Sequence, residues 1–216
     1  LIPVVVLIGL TIPFWVTDVD LAVEARFFDS AGGWIHGDDQ PWHALYHYGV
    51  IPAWVVSVSA LAVLIASLWV RRFAAHRRVA AFLVLVMIIG PGLLVNEVFK
   101  KNWGRPRPRD VFEFAGDRAY VPVWTKNPPE NGNAFASGHA STGFYLIAPF
   151  FFLRGRRNRL ALLFLVVGLL YGSWIGLARM IQGAHFLSDV VWAAGFVYLS
   201  CLGTFYSLRL DKRMTT

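Results

Sequence analysis

Long apolar runs leave this chain little choice of fold. Stretches without a charged side chain cover roughly residues 1–17, 50–70, 79–96, 160–178 and 190–208. Each approaches the about 20 residues that a helix needs to cross hydrocarbon. A sixth run, Ala140 to Leu153, is short, and reaches spanning length only if its helix begins near Ser137, which would set Ser137-Gly138-His139 at a membrane interface. With 56% of residues hydrophobic and 15% charged, the chain lies outside the range of soluble domains. The expectation is an all-α, polytopic membrane protein, one domain over residues 1–216 with six transmembrane helices. No basic segment precedes the first run and no small-residue cleavage site follows it, so it reads as a span and not as a signal peptide. Cys201, the one cysteine, lies within the last run and cannot form an internal disulfide.

The net charge of +7 is unevenly distributed. Arg71, Arg72, Arg77 and Arg78 form one basic cluster, Arg154, Arg156, Arg157 and Arg159 a second, and Arg209, Lys212 and Arg213 a third. Counting alternate sides puts all three on one face, which the positive-inside rule assigns to the cytoplasm. Residues 18–49 carry six acidic side chains against Arg26 alone, as an exported segment should. Residues 100–136 break the rule: predicted outside, they hold Lys100, Lys101, Arg105, Arg107, Arg109, Arg118 and Lys126. Positive charge on the disfavoured side argues for an anionic partner. An exported loop excludes nucleic acid and favours a phosphorylated lipid.

Residues 18–49, with Trp34, Trp42, Tyr46 and Tyr48, read as a periplasmic interfacial segment whose rings sit at headgroup level. His43 and His47 are spaced for one helix face but lack a third metal ligand near by, so they read as part of that aromatic helix. Gly90-Pro91-Gly92 should kink the third helix. Five prolines between Arg105 and Asn133 predict an extended periplasmic loop, and loops of this length are commonly functional. It is placed to cover a site.

This topology brings Lys100 to the outer end of helix 3, Ser137 to His139 to the outer start of helix 4, Arg179 to the outer end of helix 5, and His185 with Asp189 to the outer start of helix 6. The basic clusters that orient the chain include none of these residues, so their convergence on one face is an independent indication of a site. Arg107 and Arg179 offer planar forks for two phosphate oxygens, and Lys100 adds a point charge. Free amides near Ser137 and Gly138 would face the same ligand. His185 and Asp189, at i and i+4, share a helix face, so the carboxylate can hold one ring nitrogen while the other attacks phosphorus. His139 is then the candidate acid for the leaving group. Glu97, three residues before Lys100, is expected to offset its charge.

The pattern Lys-x6-Arg-Pro from Lys100, then Ser137-Gly138-His139, then Arg-x5-His-x3-Asp from Arg179 resembles the type-2 phosphatidic acid phosphatase superfamily, which also includes vanadium haloperoxidases. The resemblance covers Lys100 through Asp189. It implies a phosphatase that needs neither metal nor other cofactor, with His185 as nucleophile, Asp189 as its orienting partner and His139 as general acid. Lys100, Arg107, Ser137, Gly138 and Arg179 would bind phosphate. Two positions depart from the family pattern: Ala136 replaces the usual proline before Ser-Gly-His, and Ala178 replaces the usual serine before the arginine. The second removes one donor to phosphate, worth about 1 to 3 kcal/mol if it bears on a charged group. The resemblance further implies a bacterial inner-membrane enzyme acting on the periplasmic leaflet, with lipid A, phosphatidylglycerophosphate or undecaprenyl diphosphate as substrate. Lipid-to-lipid phosphoryl transfer, and headgroup binding without catalysis, remain open alternatives. Haloperoxidase chemistry suits the same residues but not a lipid-facing site on six spans.

Overall fold

A computed structural model describes residues 2–31 and 33–211. Leu1 of the first apolar run, and Lys212 and Arg213 of the third basic cluster, lie outside the described residues. The chain opens with α1 (Ile2–Thr11), α2 (Pro13–Val16) and α3 (Val19–Glu24), then a hairpin of two short strands, β1 (Phe28–Asp29) and β2 (Gly33–Trp34). Helices α4 (Trp42–Tyr48) and α5 (Ile51–Ala66) follow, then α6 (Arg71–Ala74) and α7 (Arg77–Met87). After the loop come α8 (Gly138–Phe144), α9 (Ala148–Leu153), α10 (Asn158–Ile181) and α11 (Leu187–Ser207).

Among the described residues, four helices are long and apolar enough to cross a membrane: Trp42–Ala66, Arg77–Lys100, Asn158–Ile181 and Leu187–Ser207. The two other expected spans are interrupted. Pro13 cannot donate to the ladder and sits at the start of α2, which divides the first run into α1 and α2. The run from Gly138 is divided by a 3-10 turn at Tyr145–Ile147. At Gly90-Pro91-Gly92 the structure shows a change of winding, since α7 passes at Ile88 into a wider, π-helical ladder that continues to Lys100. Asn96 Nδ2 donates to the Pro91 carbonyl at 2.7 Å, which satisfies an acceptor within the altered turn.

The core lies among α7, α8, α9, α10 and α11. Phe82, Val86, Tyr145, Ile147, Phe151, Val197 and Phe205 are buried in one cluster. Small residues let α10 approach the interrupted helix closely: a Cβ on Gly168 would lie 2.6 Å from Ile147 N, and one on Gly172 would lie 2.2 Å from a Phe144 ring carbon. The outward faces of α5 and α10 present Trp54, Val55, Val58, Leu162, Leu163 and Leu170 to the surroundings, as helices in hydrocarbon do. The loop from 101 to 137 is ordered into three one-turn 3-10 helices at Pro108–Asp110, Phe112–Phe114 and Pro129–Asn131. Beneath it, Trp103, Trp124 and Phe135 pack ring to ring against Phe99 and Phe196, so the loop is seated on the bundle end.

Candidate active site

Four helix ends meet at one end of the bundle. There a cavity of about 670 Å³ is lined by Lys100, Arg107, Arg109, His139, Arg179 and His185. Its remaining wall comes from Trp34, Gly37, Asp38, His43, Tyr46 and His47, with Gln182. Five of the eight residues singled out from the sequence therefore face a common space: Lys100, Arg107, His139, Arg179 and His185. Ser137, Gly138 and Asp189 are buried behind it. Among the described residues no group of three His, Cys, Asp or Glu side chains is arranged to hold a metal ion.

The turn between α10 and α11 sets the spacing of Arg179 and His185. Gly183 adopts φ +60°, and a Cβ there would run into the Trp34 indole at 2.2 Å, so both backbone and packing require glycine. The Gly183 carbonyl accepts from Arg109 N at 3.0 Å, which ties the basic loop to this turn. Asp189 then starts α11: its Oδ2 accepts from Phe186 N at 2.8 Å, in the manner of a capping box.

His185 is held by a backbone carbonyl. Its Nδ1 lies 2.7 Å from Ala134 O, whereas Asp189 Oδ2 stands 3.8 Å away, beyond hydrogen-bond reach. This replaces the expected direct His185–Asp189 bond. A carbonyl only accepts, so Nδ1 carries the proton and Nε2 keeps a free lone pair. Asp189 is engaged instead by Arg105, whose Nη1 donates to its Oδ1 at 2.5 Å.

Arg105 reads in the sequence only as loop charge, yet it is fully buried and organises the back of the site. Its Nε donates to Val121 O at 2.9 Å, Nη1 also to Ser188 Oγ at 2.7 Å, and Nη2 to Asp20 Oδ2 at 2.8 Å. Asp20 in turn accepts from Ser188 N at 2.9 Å and from Ser188 Oγ at 2.6 Å. The Arg105 carbonyl accepts from Ala134 N at 2.9 Å, so the same residue helps to fix Ala134, whose carbonyl holds His185. The repeated Arg-Pro of Arg105 to Pro108 was the available signal. Asp20 offers none, because topology alone accounts for an acidic residue in an exported segment.

Other assignments shift as well. Glu97 pairs with Lys101 at 2.5 Å, not with Lys100, which leaves the Lys100 charge to the cavity. Ser137 Oγ is the N-cap acceptor for Ala140 N at 3.4 Å. Gly138 admits Asn96, since a Cβ would lie 2.7 Å from Asn96 Oδ1. The segment 18–49, read as an interfacial element, contributes Tyr46, His43 and His47 to the cavity wall, with the His43 and His47 Nε2 atoms 3.2 Å apart.

Cations dominate the electrostatics, with Lys100, Arg107, Arg109 and Arg179 facing the cavity against the single carboxylate of Asp38. Burial, together with the charges of Arg179 and Lys100, pushes the His185 imidazole down to about 4 against the opposing pull of Asp189. Burial and then Arg179, His185 and Lys100 likewise push His139 down to about 4. Arg107 is lowered by burial and by Arg109, and its Nε donates to Asn133 Oδ1 at 2.9 Å. Arg179 donates through Nη1 to Gln182 Oε1, while its buried Nε has no partner among the described residues. A bound oxyanion would supply both the missing negative charge and the missing acceptor.

Comparison with known proteins identifies the family of the chain. Residues 80–213 match the model of the PAP2 superfamily. The chain is 35% identical over 205 residues, 90% of its length and 91% of the relative's, to the lipid A 4'-phosphatase of Francisella tularensis subsp. novicida (strain U112). It is 32% identical over 120 residues, 54% of its length, to the lipid A 4'-phosphatases of Rhizobium leguminosarum and Rhizobium etli, where the match spans 50% and 45% of those chains. No solved structure matches the chain.

Proposed function

Because the chain belongs to the PAP2 superfamily, we propose that it is a lipid phosphatase that hydrolyses the 4'-phosphate of lipid A through a phosphohistidine at His185. The observation that carries this reading is the convergence of two imidazoles with Lys100, Arg107 and Arg179 on one cavity. The names of the relatives support the choice of substrate.

The chemistry runs in two displacements. His185 Nε2 attacks phosphorus while the bond from phosphorus to the sugar oxygen breaks, and His139 delivers a proton to the departing oxygen. Lys100, Arg107 and Arg179 hold the equatorial oxygens and offset their charge in the transition state. Water then attacks the phosphohistidine as neutral His139 takes its proton, releasing phosphate and restoring both imidazoles. His139 is neutral in the empty cavity, so the proton it delivers arrives with the phosphate, whose negative charge favours the imidazolium. Asp189 and Arg105 act behind His185, through the α11 start and the Ala134 peptide.

The reading includes a multi-pass protein of the bacterial inner membrane, with six crossings and the cavity at the periplasmic leaflet. Ile2–Val16 and Ala140–Leu153 would be the two shorter crossings. The basic clusters of residues 71–78 and 154–159, set against the acidic segment 18–49, support this orientation.

The test is phosphate release by purified protein from lipid A, phosphatidylglycerophosphate and undecaprenyl diphosphate, with a labelled acceptor lipid present to score transfer. Release from lipid A, lost in His185→Ala while orthovanadate still binds, is the expected result. Absence of release from every lipid would overturn the phosphatase reading, and transfer to the acceptor without free phosphate would replace hydrolysis by phosphotransfer.

A further inference from the structure

We propose that Tyr46 is a positioning residue of this site, whose ring holds the Arg179 guanidinium and the His139 imidazole in register with a bound phosphate. The inference rests on the phosphate-binding reading of the cavity above. Tyr46 lies outside residues 80–213, the part of the chain that matches the family model.

The Arg179 guanidinium carbon stands 4.4 Å from the centre of the Tyr46 ring. The His139 ring centre is 5.0 Å from it, at an interplanar angle of 33°, and His47 meets it edge-on at 4.7 Å. The ring is therefore occupied by protein groups on several sides. Its own position is fixed from beneath: the neighbouring Leu45 is buried against Ile175 and Ala178 of α10, and Tyr171 Oη donates to the Gly49 carbonyl at 2.9 Å. Helix α4 is thus docked within one turn of Arg179, so ring and guanidinium share one rigid support.

An aromatic face suits this place on physical grounds. Arg179 shares its cavity with Lys100, Arg107 and Arg109, and repulsion among them would swing a long side chain away from the others. A carboxylate would offset that repulsion but would occupy the N–H groups that phosphate needs. The negative face of a tyrosine ring attracts the guanidinium through its plane and leaves its edge donors free. Gln182 takes one of those donors, and the buried Nε is left without an acceptor.

The test compares Tyr46→Phe and Tyr46→Leu in the full-length protein, by kcat and KM for phosphate release from lipid A, by affinity for orthovanadate and by Tm. Leucine is expected to lower kcat and vanadate affinity by roughly ten- to thirty-fold, the scale of a desolvated cation–π contact, with KM changed less than about threefold. Phenylalanine, which keeps the ring, is expected to restore both. Wild-type kcat and vanadate affinity in Tyr46→Leu would overturn the proposal, as would a loss in Tyr46→Phe equal to that in Tyr46→Leu. If Tyr46→Leu does not fold, Tyr46→Phe decides alone, a ten-fold loss at unchanged Tm counting against the ring and retention counting for it. Should the wild-type protein release no phosphate from lipid A, the substrate reading fails, while the vanadate comparison still decides the role of Tyr46.

Discussion

The Arg105 guanidinium donates to the Asp189 carboxylate across 2.5 Å, with both side chains closed off from the surroundings. Asp20 completes the cluster at 2.8 Å from the other terminal nitrogen. One planar fork thereby joins α3 and the start of α11, and the Arg105 backbone carbonyl steadies Ala134, the residue whose own carbonyl holds His185. A buried pair contributes little net stability over an apolar substitute, yet removing one partner strands the other.

Arg105→Ala is accordingly expected to cost about 3 to 5 kcal/mol of stability, because two buried carboxylates lose their counter-charge. Arg105→Lys keeps the charge but not the fork, and should fall between the two. Thermal unfolding of both variants in the same detergent checks the order.

His139→Asn is expected to lower kcat by about 10²- to 10⁴-fold on a lipid substrate. The loss should shrink on an aryl phosphate, whose leaving group departs without a proton. An equal loss on both substrates would remove His139 from the acid role.

His139 and His185 both titrate near 4 in the folded protein, well below the ordinary histidine value near 6.5. The unfolded chain therefore binds protons more readily over that interval. Their contribution to stability is complete above about pH 6.5 and is lost as the pH falls towards 4. Unfolding measured from pH 7.5 to 4 should show this decline, and His185→Gln should flatten it.

Glu24 is buried with both carboxylate oxygens unpartnered among the described residues, and burial, with Asp20 and Asp189, pushes its carboxyl up to about 10. Here the sign is reversed. The folded state keeps a proton that the unfolded chain releases near 4.5, so stability falls as the pH rises above that value. Glu24→Gln should be more stable than wild type at pH 8, by a margin that narrows towards pH 5. A margin independent of pH would contradict the assignment.

Gly168→Ala would place a Cβ 2.6 Å from Ile147 N, a backbone atom that cannot rotate aside. A cost of about 1 to 3 kcal/mol is expected. Ile147 lies in the turn joining α8 to α9, so phosphate release should fall along with Tm.

The amino-acid sequence alone determined what is local: which runs are apolar enough for a membrane, where proline and glycine break them, and which cationic and imidazole side chains stand at helix ends. Lys100, Arg107, His139, Arg179 and His185 were legible because each lies in a motif of short spacing and because apolar runs carry those motifs to one end of the bundle. The contacts of Arg105, Asp20 and Tyr46 were decided only by the tertiary structure. Each depends on contacts between residues far apart in the chain: Asp20 is 85 positions from Arg105, and Arg105 is 84 from Asp189. A charge and its partner brought together from such distances leave no periodic trace, since neither residue constrains the identity of its sequence neighbours. The exchange of Asp189 for the Ala134 carbonyl at His185 has the same origin, because a backbone acceptor is present at every residue and is selected only when folding places one within reach.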